Sequence, residues 1–227
     1  MSATSPVLVF DVNETLSDMS PLAARFVDVG ASASTAQLWF SWVLRDGFAL
    51  TVAGESKPFA TVGEELLRVL LPTAVLNRPV EEAVEHVMAG MHCLDLHPDV
   101  APAIRELAED GHRMVTLSNG STSIAEELLA TASLVELFER LLSVEAVGVW
   151  KPAAEAYRYA ARVCEVDPAD MMLVAVHPWD VDGAARAGLS TVWLDRSESH
   201  YPATFTPPTH TVASLEELSD ILGKASV

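Results

Sequence analysis

The chain has 227 residues, half of them hydrophobic, which is enough to bury the core of one sizeable domain or of a core with an insert. Its 32 acidic against 14 basic residues leave a net charge of −18, a field that repels phosphate backbones and anionic lipid and so speaks against nucleic-acid and membrane partners. Cys93 and Cys164 lie too far apart for a disulfide framework or zinc spacing and read as buried thiols of a reducing compartment. The start "MSATSPVLVF" has neither a basic region nor an apolar run of signal-peptide length, so a cytoplasmic location is expected.

The chain opens on an apolar run, "VLVFD" (7–11), that reads as a buried strand ending on a carboxylate. Residues 17–92 then show no strand pattern but several helical ones: "PLAARFVDV", "ASTAQLWFSWVLRDGFAL", "TVGEELLRVLL" and "PVEEAVEHVMAGM". Beyond them strands and amphipathic helices alternate. "DVAPAIRELAEDG" (99–111) precedes the strand "RMVTLSN" (113–119), and "STSIAEELLATA" (121–132) precedes "RLLSVEA" (140–146). "KPAAEAYRYAARVCEV" (151–166) leads to "MMLVAVH" (171–177), and "DVDGAARAGL" (180–189) to "STVWLD" (190–195). The last helix, "SLEELSDILGK", starts from Ser214 with an acidic first turn, a capping pattern. Such alternation implies an α/β fold with a parallel sheet covered on both faces. The helical block reads as an inserted cap at 17–92 on a core of 1–16 and 93–227.

Ligands of an open parallel sheet bind at the carboxyl ends of its strands, where four of these strands present polar residues. The first gives Asp11, with Val12, Asn13 and Thr15 in the turn; the second gives Ser118, Asn119 and Gly120. Lys151 follows the third in "WKP", and the fourth gives His177, Trp179 and Asp180 in "HPWD". Each has an ordinary structural alternative, as a turn former, a helix cap, a solvated helix start or a core histidine. Their joint order along successive strands is far more specific than any one of them.

That pattern resembles the haloacid dehalogenase superfamily over nearly the whole chain. The resemblance implies a doubly wound, Rossmann-like sheet with Asp11 as nucleophile and Thr15, Ser118, Lys151 and Asp180 completing the site. It also implies departures from the superfamily's phosphatases. Those usually carry Asp-x-Asp, and Asn13 stands where their acid would protonate an alkoxide. Near Ala175 they place a carboxylate for Mg²⁺, which wants oxygen ligands. A halide needs no proton to leave, so the reduced site points to the L-2-haloacid dehalogenase branch, whose "SNGS", "WKP" and "HPWD"-like motifs are similar.

What this implies is hydrolysis of a small anionic 2-halo acid to a 2-hydroxy acid through an ester on Asp11, with no metal and no cofactor. Lys151 would hold the nucleophile, Ser118 and Asn119 the substrate carboxylate, and Asp180, with His177 beside it, would orient or deprotonate water. Where the branch has a cap arginine this chain has Phe40, and Arg45, about 7 Å further along the same helix, is the candidate replacement. The branch's frequent dimers imply a homodimer, for which Trp39, Phe40 and Trp42 offer either an interface or the cap's own core. A Mg²⁺-dependent phosphatase or phosphonatase, and a non-catalytic binding protein on the same fold, are the alternative readings.

Overall fold

The computed structural model describes residues 5–223; "MSAT" at the start and Lys224 of the last helical pattern lie outside them. In chain order the elements are β1 (Val7–Phe10), β2 (Ser17–Asp18), α1 (Leu22–Asp28), α2 (Ser34–Val52), α3 (Phe59–Leu70), α4 (Val80–Ala89) and β3 (Asp95–Leu96). They continue with α5 (Val100–Glu109), β4 (Met114–Ser118), α6 (Thr122–Ala130), β5 (Arg140–Ser143), α7 (Ala154–Cys164) and β6 (Met171–Ala175). Then come α8 (Pro178–Ala187), β7 (Ser190–Leu194), β8 (His210–Val212) and α9 (Leu218–Leu222).

A six-stranded sheet runs β5-β4-β1-β6-β7-β8, with every pairing parallel. All residues of β1, β4 and β6 are buried, as strands covered on both faces must be, which explains their unbroken apolar runs. The chain leaves β1 for β4 on one side and returns to β6 on the other. The end of β1 is therefore the point where strand order reverses, and Asp11 sits there.

Helices α1 to α4 pack on one another around Phe26, Trp39, Phe40, Phe59 and Leu67. Trp39 donates its ring N–H to the Gly63 carbonyl at 2.9 Å. Trp39 and Phe40 are thus buried inside the chain and are not an exposed interface. The helical block also leans on the core through Trp150. That indole lies parallel to Phe59, donates to the Lys57 carbonyl at 3.0 Å, and fits only because Gly47 of α2 has no Cβ to overlap its ring.

Several sequence expectations need correction. Ser17–Asp18 is a strand inside the stretch expected to have none, pairing antiparallel with Asp95–Leu96; two residues are too few for an alternating pattern to show. β8 was not foreseen either, since three residues after a proline-rich stretch carry no periodicity. The run 140–146 is strand only to Ser143, whose hydroxyl caps a 3-10 turn by accepting from Glu145 N–H at 3.1 Å. Helix α8 begins at Pro178 rather than Asp180, because proline suits a first helical position. It ends at Gly188, whose φ of +100° suits glycine. Cys164 is buried but Cys93 is exposed. The last segment opens with the expected cap, Ser214 and Glu217 forming a reciprocal capping box.

Candidate active site

Asp11 leaves β1 with its backbone N–H donating to the Val174 carbonyl at 3.1 Å. The turn behind it is closed by Leu16 and Ser17 N–H groups on the Val12 carbonyl. Thr15 points back into this turn and donates to Asp11 Oδ2 at 2.7 Å, while accepting from the Val176 N–H at 3.2 Å. One hydroxyl therefore ties the nucleophile's loop to the end of β6. Arg196, not singled out by sequence, ties it from outside: its guanidinium donates to the Thr15 carbonyl at 2.9 Å and to both carboxylate oxygens of Asp99 at 2.9 and 3.0 Å.

Lys151 is fully buried, and its Nζ lies 2.8 Å from Asp11 Oδ1 and 2.6 Å from Asp180 Oδ2. Asn119 clasps the lysine's backbone, accepting from its N–H at 2.9 Å and donating to its carbonyl at 3.3 Å. The amide expected to bind substrate is thereby committed to placing Lys151. Asp180 is sealed beneath, its Oδ1 accepting from the Tyr157 hydroxyl at 2.5 Å. Tyr157 also donates to the Asp180 carbonyl at 3.1 Å. It sits on the stripe that α7 buries with Ala156, Ala160, Ala161 and Cys164. The available signal was a tyrosine on an alanine-lined face, since a buried phenol needs a hydrogen-bond partner.

The electrostatics follow from this packing. Burial alone would raise the Asp11 carboxyl, but the charge of Lys151, then His177, and hydrogen bonds from Lys151 and Thr15 hold it below the usual range. Burial raises Asp180; Lys151 opposes the rise and the charge of Asp11 adds to it. Burial lowers Lys151, yet the two carboxylates outweigh it and leave the ammonium above its ordinary value. Burial and then Asp180 push Tyr157 well up, so it stays a neutral donor. The arrangement is an ionised carboxylate kept ready in a dry pocket by a fixed cation.

At the mouth, His177 Nε2 lies 3.2 Å from the Asn13 carbonyl and 3.7 Å from Asp11 Oδ2. Its ring stacks on Trp179 at 5.0 Å and reaches toward Phe40 at 6.2 Å, while Trp179 meets Phe48 edge-on at 5.0 Å. These contacts place α2 directly over the strand ends. Ser118 is buried beside Asp11's strand, and its Oγ accepts from the Gly120 N–H at 2.9 Å. A Cβ on Gly120 would lie 3.3 Å from Ser118 Oγ and 3.9 Å from Asn13 Nδ2. Asn13, Gly120, Phe59, Met88 and Met91 line a cavity of about 560 Å³.

Two expected contacts are not brought together. Val12 is core, offering only its carbonyl to the turn. Arg45 is exposed, paired with Asp46 at 2.7 Å and lying over the Trp42 ring at 4.7 Å. Five residues at 3.6 per turn carry it about 140° around α2 from Phe40, away from the cleft. Nor do the donors suit a metal. Ala175 is a buried methyl, both Asp180 oxygens are engaged by Lys151 and Tyr157, and no metal-holding group of three or more His, Cys, Asp or Glu occurs among the described residues.

A family model described as haloacid dehalogenase-like hydrolase matches residues 6–188. The (S)-2-haloacid dehalogenase 4A of Burkholderia cepacia is 29% identical over 218 residues, covering 95% of this chain and 94% of that one. A crystal structure of an L-2-haloacid dehalogenase superposes with a TM-score of 0.88 at 28% identity, covering 96% of this chain and 99% of that one. A dehalogenase solved with an intermediate complex gives a TM-score of 0.89 at 26% identity, covering 99% of this chain and 100% of that one.

Proposed function

We propose that this chain, which belongs to the haloacid dehalogenase-like hydrolase family, is an (S)-2-haloacid dehalogenase that converts small 2-halo acids to 2-hydroxy acids. The observation that carries this reading is the Asp11 carboxylate held ionised by Lys151 and Thr15 while Asn13 and Ala175 supply no acid and no metal ligand. Such a site favours a leaving group that departs as a stable anion.

Asp11 displaces halide from the carbon beside the substrate carboxylate, from the side opposite the halogen, so that carbon inverts. The product of this step is an ester on Asp11. Thr15 and Lys151 fix the nucleophile's plane, and Asp180 holds Lys151 with Tyr157 behind it. The Ser118 hydroxyl and the Asn13 amide, facing the space that Gly120 leaves, are the donors for the substrate carboxylate. Phe40, His177 and Trp179 close the halide side with aromatic surface. Water then opens the ester and returns Asp11.

A single turnover in ¹⁸O-water, with enzyme in excess over 2-chloropropionate, tests the covalent route. Label should enter Asp11 and leave the first 2-hydroxy product largely unlabelled. Asp11→Asn should abolish chloride release while leaving the fold intact, because an amide is a weak nucleophile. Label in the first-turnover product would refute ester formation.

A further inference from the structure

No helix or strand places Lys151: it lies between the 3-10 turn Val144–Ala146 and the start of α7. Asn119 clasps its peptide from the core, accepting from the N–H at 2.9 Å and donating to the carbonyl at 3.3 Å. One clasp sets the position of the segment but leaves it able to swivel. Because the ammonium sits at the end of a long flexible stem, a small swivel carries it off Asp11. The cap blocks that swivel through Trp150, the preceding residue, which is 1% exposed. The Trp150 backbone N–H donates to Thr51 Oγ1 at 3.1 Å, and its ring N–H donates to the Lys57 carbonyl at 3.0 Å. Its ring lies 15° from parallel with Phe59, the centroids 5.9 Å apart. On the side of α2, a Cβ on Gly47 would come within 2.3 Å of ring atoms Cε3 and Cζ3. Two hydrogen bonds, a stacked ring and the bare backbone of α2 leave the indole one orientation.

Resting on the dehalogenase reading above, we propose that Trp150 is a positioning residue for the reaction, through which cap residues 47–59 set the orientation of Lys151 against the nucleophile. The cap thus acts on the chemistry through the backbone of residue 150, one peptide bond from the cation. Lys151 Nζ lies 2.8 Å from Asp11 and 2.6 Å from Asp180, short charge-assisted contacts whose strength falls with distance. The charged and titratable groups acting on Asp11 and its neighbours are Lys151, His177, Asp180, Glu14 and Tyr157. Of these, Lys151 does most to keep Asp11 ionised against its burial. If Lys151 slackens, burial raises the Asp11 carboxyl and the nucleophile is lost sooner as pH falls.

Two substitutions in α2 test this without altering Trp150 or any group at the reacting atoms. Thr51→Val keeps the side chain's shape and removes the acceptor of the Trp150 N–H, whereas Thr51→Ser keeps that acceptor. Gly47→Ala pushes the indole aside. The readouts are chloride release from 2-chloropropionate across pH and a ¹³C titration of the Asp11 carboxyl, which needs no substrate. Thr51→Val and Gly47→Ala should each lower kcat by about tenfold with KM within about twofold of the parent. In both, the acid limb of kcat/KM and the Asp11 titration should move toward neutral pH. Thr51→Ser should keep the parent's profile. A lowered Tm in Thr51→Val, with kcat, acid limb and Asp11 titration all at the parent's values, would overturn the proposal and leave Trp150 a packing residue. An equal shift in Thr51→Ser would overturn it too. A parent that releases no chloride refutes the dehalogenase reading alone. The Asp11 titration then decides the positioning role: a move toward neutral pH in Thr51→Val and Gly47→Ala supports it, and no move overturns it.

Discussion

Replacing Lys151 by methionine keeps the side chain's volume and removes the ammonium between Asp11 and Asp180. Nζ is 2.8 and 2.6 Å from the two carboxylates, and none of the three side chains is more than 5% exposed. Removing one partner of a buried ion pair costs about 3–5 kcal/mol, because the remaining charge is uncompensated. Here two carboxylates remain, so one of them takes up a proton and recovers part of that loss.

The pH dependence has a definite sign. In the parent, the raised Lys151 contributes stability that is complete below its unfolded value and disappears as pH rises through the folded one. The depressed Asp11 contributes stability that is present above its unfolded value and is lost as pH falls through the folded one. These two contributions are level across the neutral range, while the raised Asp180 carboxyl has the opposite sign to Asp11 and favours the folded state as pH falls. In the variant, burial and mutual repulsion raise both carboxyls, the native state binds more protons than the unfolded state, and stability grows as pH falls. Urea denaturation of both proteins should show a gap that is largest near about pH 8 and narrower near about pH 5.5. Chloride release should vanish in the variant, since Asp11 is no longer held ionised. A gap under about 1 kcal/mol, or one that widens toward acid, would refute the assignment of Lys151 as the central charge.

Tyr157→Phe removes the donor that Asp180 accepts at 2.5 Å; urea titration should show a loss of about 1.5–3 kcal/mol, and kcat should fall as Lys151 loosens. Gly183→Ala sets a Cβ 2.5 Å from Pro152 Cβ and 2.7 Å from the Tyr157 hydroxyl oxygen, so thermal melting should report overpacking of about 1–3 kcal/mol with a parallel loss of turnover. Arg45→Ala should leave kcat and KM unchanged, because Arg45 faces solvent; a clear loss of activity would show that α2 turns inward during catalysis. Chloride release should persist after exhaustive chelation, and a complete loss restored only by Mg²⁺ would favour a metal-dependent relative of this site.

The parallel sheet and the strand-end residues were legible because both are properties of short segments. Buried strands keep apolar runs, and a polar residue that interrupts one stands out, as Asp11, Ser118 and His177 do. Lys151 and Asp180 were legible from their place in the order of strands. Residues whose meaning lies in a distant partner were not legible. Arg196 secures the nucleophile's loop across 181 residues of chain, and nothing in "DRSESH" points to Thr15. Tyr157 takes its meaning from Asp180, 23 residues away, whose carboxylate lies beneath its hydroxyl. Arg45 shows a different limit: rise along a helix sets its distance from Phe40, but rotation around the axis decides which face the side chain joins. The same logic explains Glu14. Read along the chain, it is a polar turn residue after Asn13. Its orientation comes from a left-handed backbone and from His177, which is brought to it by the pairing of β1 with β6.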